Sequence, residues 1–106
     1  MADPIRGKTI RWRYSDGPTV GMEFEHVFSP DGGVTFRRVD KDGASMPSEK
    51  TKYEVARVND DVYAVTYLAP SGWTLTTALD MKAGTMVSVA SNEKELFVQR
   101  GTFDRV

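Results

Sequence analysis

Two stretches near the start of the chain alternate between apolar and charged side chains. In residues 10–14 the charged members are arginines, and in residues 20–28 they are glutamates. Successive side chains of a β-strand point to opposite faces, so this period of two predicts two strands, each with an aromatic face and a charged face. The members of the aromatic face are Ile10, Trp12, Tyr14, Val20, Met22, Phe24, His26 and Phe28.

Turn-forming residues divide the whole chain into short segments. Gly, Pro, Asp and Asn cluster at residues 15–18, 30–33, 40–43, 59–61, 70–72, 82–84 and 91–93. β-branched residues far outnumber leucines, and no segment repeats apolar residues at helical spacing, so we expect strands and little helix. Further strands are predicted at residues 34–38, 53–58, 62–68, 73–80, 86–90 and 95–100.

The charged faces of the first two strands constrain how these strands pair. Any register that keeps the aromatic faces together places Arg11 or Arg13 near Glu23 or Glu25 on the outer surface. Exposed cross-strand ion pairs of this kind contribute about 0.2–1 kcal/mol each, so they select the register more than they stabilise the fold.

These elements predict an all-β fold, an antiparallel meander of about eight strands. Two edge strands would remain unpaired unless the sheet curls into a barrel, so we expect a closed or partly open, lipocalin-like barrel, with a two-sheet sandwich as the alternative. Residues 1–106 are predicted to form one domain, with a tail at residues 1–6 and a mobile loop at residues 43–50.

Composition excludes several classes of function. Lys and Arg number 14 against 15 Asp and Glu, which lacks the basic excess typical of nucleic-acid binding. Cysteine is absent and histidine occurs once, so we expect no disulfide, no metal site and no cofactor. No apolar run approaches the roughly 20 residues of a membrane span, and the first residues lack a signal-peptide core. We therefore expect a soluble, cytoplasmic protein that does not bind membranes.

Several segments resemble one known family. The run at residues 7–17 is similar to the opening of MoaF-like, lipocalin-type domains, and further similarity lies at residues 53–58, 62–67, 78–80 and 101–103. The resemblance implies a calycin-like barrel with an internal apolar pocket. It brings no activity and no catalytic residues with it.

Aromatic residues of the predicted inner face suggest a ligand site. Apolar and aromatic walls with a few polar groups are typical of small-molecule pockets, although the same residues would also build an ordinary hydrophobic core. His26 would place a titratable group among them. The predicted ligand-binding residues are Trp12, Tyr14, Met22, Phe24, His26, Phe36, Tyr67 and Trp73.

Three functions remain open at this point. The leading hypothesis is a protein that binds a small apolar or aromatic molecule in the barrel lumen without catalysis. The second is a small β-barrel enzyme of the cyclase, isomerase or decarboxylase type that uses His26, Tyr67 or Arg57 as acid–base or anchoring groups. The third is a homodimeric assembly protein that uses the strand at residues 62–68, which is apolar on both faces.

Overall fold

A computed structural model describes residues 4–41 and 47–106. Eight antiparallel strands follow one another in chain order, and the last pairs with the first to close a barrel. This confirms the predicted all-β, eight-stranded meander and shows that the barrel is closed. The strands are β1 (Thr9–Tyr14), β2 (Glu23–Phe28), β3 (Gly33–Arg38), β4 (Glu49–Arg57), β5 (Val62–Leu68), β6 (Thr74–Asp80), β7 (Thr85–Ser91) and β8 (Leu96–Arg105).

The register between β1 and β2 follows the charge pattern. Arg11 lies opposite Glu25 and Arg13 opposite Glu23. The guanidinium groups donate hydrogen bonds of 2.9 and 2.7 Å to these carboxylates on the outer surface. The predicted pairing is therefore confirmed, and the aromatic side chains of both strands face the lumen together.

The barrel closes where β1 meets β8, and a glycine makes this approach possible. Gly101 pairs with Tyr14 on one side and with Met86 on the other. A Cβ atom at this position would collide with the backbone carbonyl of Arg13 and lie 2.9 Å from the Cε of Met86. Only a residue without a side chain fits between the neighbouring strands here.

The two ends of the barrel are built differently. We call the end that carries the connections following β1, β3, β5 and β7 the mouth, and the opposite end the base. Apolar side chains fill the base completely, with Ile10, Val34 and Leu79 all at 0% exposure. Such burial contributes about 1.5–3 kcal/mol per large side chain, so the base supplies much of the stability.

The predicted tail at residues 1–6 is wrong for its described part. Ile5 is fully buried in the core at the base, and its carbonyl accepts a hydrogen bond from the amide of Lys8. The amide of Gly7 in turn donates to the carbonyl of Phe28 at 2.7 Å. An isolated apolar residue among polar ones gives no periodic signal, although here it caps the barrel core.

Two element boundaries also differ from the prediction. The second strand begins at Glu23 and not at Val20, because a turn in which the amide of Met22 bonds to the carbonyl of Thr19 precedes it. Gly21 takes a positive φ of 84° in this turn. The predicted mobile loop at residues 43–50 lies partly outside the described residues, and its last two residues belong to β4.

The outer face of β5 is mixed in exposure. Val62 and Ala64 are half-buried, whereas Leu68 is 67% exposed. Assembly through this strand stays a prediction. Within the described ranges, no helix has the length and apolar character needed to cross a membrane.

Candidate functional site

The candidate site is a cavity of about 300 Å³ in the lumen near the mouth. Seven of the eight predicted ligand-binding residues line it; Met22 does not, because it lies in the turn before β2. Its aromatic wall consists of Trp12, Tyr14, Phe24, Phe36, Tyr67, Trp73 and Phe97.

A histidine–tyrosine pair forms the polar centre of the cavity wall. His26 on β2 and Tyr67 on β5 are both buried, and the Nε2 atom of His26 lies 2.7 Å from the hydroxyl of Tyr67. The indole of Trp12 stacks on the imidazole with ring centroids 3.5 Å apart. Phe36 stacks on the imidazole at 5.5 Å. The histidine is therefore held rigidly between aromatic rings.

Burial keeps both members of this pair uncharged. Loss of solvation lowers the pKa of His26 well below its ordinary value of 6.5. The same cause, with smaller contributions from Tyr14 and Glu49, raises the pKa of Tyr67 well above 10.0. The pair is a neutral imidazole beside a neutral phenol at physiological pH. The Nδ1 atom of His26 has no hydrogen-bond partner of good geometry among the described residues.

A second buried polar group lies next to the cavity. The hydroxyl of Tyr14 donates to the Oγ of Ser88 at 3.2 Å, and Ser88 also bonds to the hydroxyl of Thr77 at 2.8 Å. Burial raises the pKa of Tyr14, so it remains a hydrogen-bond donor. Ser88 was missed because sequence alternation on β7 does not show which face points inward.

Gln99 attaches the loop after β1 to the wall of the cavity. Its side chain is buried, and its Oε1 atom accepts hydrogen bonds from the amide of Thr19 at 2.8 Å and from the Thr19 hydroxyl. The backbone of Gly17 packs so closely that a Cβ atom there would lie 2.7 Å from the Cγ of Gln99. Gln99 therefore fixes the position of this loop at the mouth.

Glu49 carries the one formal charge among the described residues that line the cavity. It is half-buried on β4, opposite Phe36. The sequence prediction missed it because it assigned residue 49 to a loop. The alternation of Glu49, Thr51 and Tyr53 contained the signal, since Tyr53 faces the core.

Arg57 is remote from this site. It lies at the end of β4 that leads into the base, whereas Glu49 begins the same strand at the mouth. Its side chain is exposed, donates to the carbonyl of Asn59 and pairs with Asp60. Of the three groups that the enzyme hypothesis names, the structure brings His26 and Tyr67 together and leaves Arg57 apart from them.

A larger groove of about 950 Å³ runs along the outer side of β4. Half of the residues that line it are charged, including Arg6, Asp31, Lys50 and Lys52. Tyr53 is the one aromatic residue among the described residues of this lining, and the groove does not contain the buried polar pair of the lumen. No group of three or more His, Asp and Glu residues in the described part of the chain could hold a metal ion.

Comparison with known proteins supports the fold and identifies the family. A crystal structure described as a "putative beta-lactamase" from Burkholderia vietnamiensis superposes with a TM-score of 0.81 at 20% sequence identity, covering 100% of this chain and 99% of the other. No curated protein matches the chain. The family model of the MoaF N-terminal domain matches residues 1–95. The chain therefore belongs to the MoaF N-terminal domain family.

Proposed function

We propose that this protein binds a small apolar or aromatic molecule in the lumen of the barrel, without catalysing a reaction on it. The observation that carries this proposal is a cavity whose aromatic wall contains one neutral, buried hydrogen-bonded pair, His26 and Tyr67. Apolar walls with a few fixed polar groups are the common design of small-molecule sites.

The size of the cavity restricts the ligand. A volume of about 300 Å³ lies at the lower end of the range for small-molecule pockets. This space suits a molecule with one or two rings better than a long acyl chain. The ring contact between Trp73 and Phe97, with centroids 5.3 Å apart, provides further aromatic surface at the mouth.

The electrostatics of the pair favour binding over acid–base catalysis. A general base or acid works best when its pKa lies near the working pH. Burial moves the pKa of His26 well below neutrality and the pKa of Tyr67 well above it, so neither group exchanges protons readily at pH 7. Arg57, one of the three groups that the enzyme hypothesis names, lies at the other end of the barrel.

Hydrolysis by an activated serine finds little support either. The name of the Burkholderia protein concerns that protein, which shares 20% identity with this chain. Here Ser88 bonds to Thr77 and Tyr14, while His26 bonds to Tyr67, so the buried serine and the histidine are not paired. A serine nucleophile needs an adjacent base within hydrogen-bond reach.

The test compares two equivalent substitutions on opposite faces of the barrel. Ala90 is buried in the cavity wall, and Ala56 is exposed on the outer face of β4. Binding of small aromatic probes such as indole and benzyl alcohol is measured by NMR titration. We expect Ala90→Phe to weaken binding at least tenfold by filling the cavity and Ala56→Phe to leave it unchanged.

A cooperative unfolding transition for each variant establishes that it is folded. If the ligand binds in the cavity, the smaller substitution Ala90→Leu weakens binding by an intermediate amount. This variant replaces Ala90→Phe in the comparison if Ala90→Phe does not fold. Equal affinity of the wild type and the folded Ala90 variants would overturn the proposal of a lumen site.

A further inference from the structure

The charge of the cavity carries a further inference about the ligand. Among the cavity-lining residues that the structure describes, Glu49 is the charged one, and no Lys or Arg accompanies it. His26 and Tyr67, the other titratable groups on this side of the cavity, are neutral because they are buried. The site therefore presents one negative charge within an aromatic wall.

The carboxylate of Glu49 has no hydrogen-bond or ion-pair partner within residues 4–41 and 47–106. On the neighbouring strand, the next position on the same face as Phe36 is Arg38. Its guanidinium is bound at two points by Asp40, at 2.6 and 2.9 Å, and it does not line the cavity. Within the described residues, the charge of Glu49 is therefore uncompensated at the cavity.

Glu49 lies on the inner face of β4, the face that carries the wall of the cavity. The residue pairs with Phe36 across the β3–β4 ladder, and the ring of Phe36 lies 4.9 Å from the ring of Tyr67. Its negative charge also contributes to the raised pKa of Tyr67, as expected for a carboxylate near that hydroxyl. Glu49 and the aromatic side chains therefore face the same space.

We propose that the ligand carries a cationic ammonium group on its aromatic or apolar body, with the ammonium group bound by Glu49 and the body between the aromatic side chains. This inference rests on the proposed function of ligand binding in the lumen. A carboxylate ligand would meet a like charge and no cation, which disfavours it. An ammonium group donates a charge-assisted hydrogen bond to the carboxylate and is attracted by nearby ring faces.

The test uses three probes with the same ring and different charges: benzylamine, benzyl alcohol and benzoate. Dissociation constants are measured by NMR titration at pH 7.5 in 50 mM NaCl. We expect benzylamine to bind about tenfold more tightly than benzyl alcohol, a difference of about 1.4 kcal/mol, and benzoate to bind most weakly. Because the interaction is between charges, 500 mM NaCl reduces the preference for benzylamine.

Two glutamine substitutions on β4 separate a local effect from a general one. Glu49→Gln removes the carboxylate from the cavity, and we expect benzylamine and benzyl alcohol then to bind within about twofold of each other. Glu54→Gln removes the same charge from an exposed position on the same strand and preserves the tenfold preference. Glu54→Gln also leaves the affinity for benzyl alcohol unchanged.

The outcomes distinguish the two proposals. If all three probes bind the cavity with equal affinity, or if Glu49→Gln leaves the benzylamine preference intact, the charge inference fails and the proposed function stands. If none of the probes shifts the resonances of cavity residues such as Trp12 and Trp73, both proposals fail.

Discussion

The buried imidazole of His26 makes the stability of this protein depend on pH in a defined way. The chain contains one histidine, and its side chain is 1% exposed between aromatic rings. Burial places the pKa of His26 in the folded state well below 6.5, its approximate value in an unfolded chain. As the pH falls below 6.5, the unfolded state therefore takes up a proton that the folded state cannot accommodate.

The size of the effect follows from this difference in bound protons. Stability is fully present above pH 6.5 and falls with decreasing pH by up to about 1.4 kcal/mol per pH unit, until the pH reaches the folded-state pKa. Between pH 7 and pH 5 the loss is at most about 2 kcal/mol, a limit set by the unfolded-state pKa. The pKa of the Glu25 carboxyl is lowered by its hydrogen bond from Arg11, and the pKa of Asp40 is lowered to about 2. Both carboxylates therefore stay charged throughout this range.

Urea unfolding followed by tryptophan fluorescence at pH 7, 6 and 5 measures this loss. The control is His26→Phe, which keeps a ring in the stack and removes the titrating group. We expect the wild type to lose up to about 2 kcal/mol over this range and the variant to lose much less. The reasoning is refuted if both proteins show the same pH dependence, or if the imidazole of the folded protein titrates near pH 6.5 by NMR.

Two further predictions concern the buried pair and the closure of the barrel. Tyr67→Phe leaves the Nε2 atom of His26 without its hydrogen-bond partner, and we expect it to lower the free energy of unfolding by about 1–3 kcal/mol, as measured with urea. The double variant Tyr67→Phe/His26→Phe should lose at least about 1 kcal/mol less than the sum of the losses of the two single variants. Additive costs would contradict the hydrogen bond. Gly101→Ala should cost more than about 3 kcal/mol in the same assay because its Cβ collides with the carbonyl of Arg13. In Gly33→Ala the added Cβ makes only ordinary van der Waals contacts, so the free energy of unfolding should fall by less than about 1 kcal/mol. Similar losses for both glycine variants would argue against a tight approach of β1 and β8 at Gly101.

The strand pattern near the start of the chain was sufficient to predict one wall of the site. Alternation placed Trp12, Phe24 and His26 on one face, and the opposite charges on the other face fixed how β1 and β2 pair. These features are local, since the side chains of neighbouring strands interact directly across a short hairpin. The same pattern failed at Met22, where a turn with a positive-φ glycine interrupts the strand.

The opposite wall was harder to predict. Ser88 belongs to a strand whose alternation does not reveal which face is buried, because both faces carry small or polar residues. Glu49 was assigned to a loop, although its alternation with Tyr53 contained the signal. Ile5 lies outside any repeat, although it is completely buried. Whether a residue reaches the cavity depends on where its strand lies around the barrel, and periodicity along the chain does not report that position.

Local patterns in the sequence were enough to predict the class of fold, the inward direction of the aromatic residues on β1, β2 and β3, and the near-neutral charge of the chain. These properties follow from a period of two, from turn residues and from composition. The folded barrel was needed to show that β8 returns to β1, that Ile5 closes the base, and that His26 meets Tyr67 across 41 residues of chain. Closure and shear bring distant strands together, and the resulting packing encloses the imidazole and places Glu49 in the wall of the cavity.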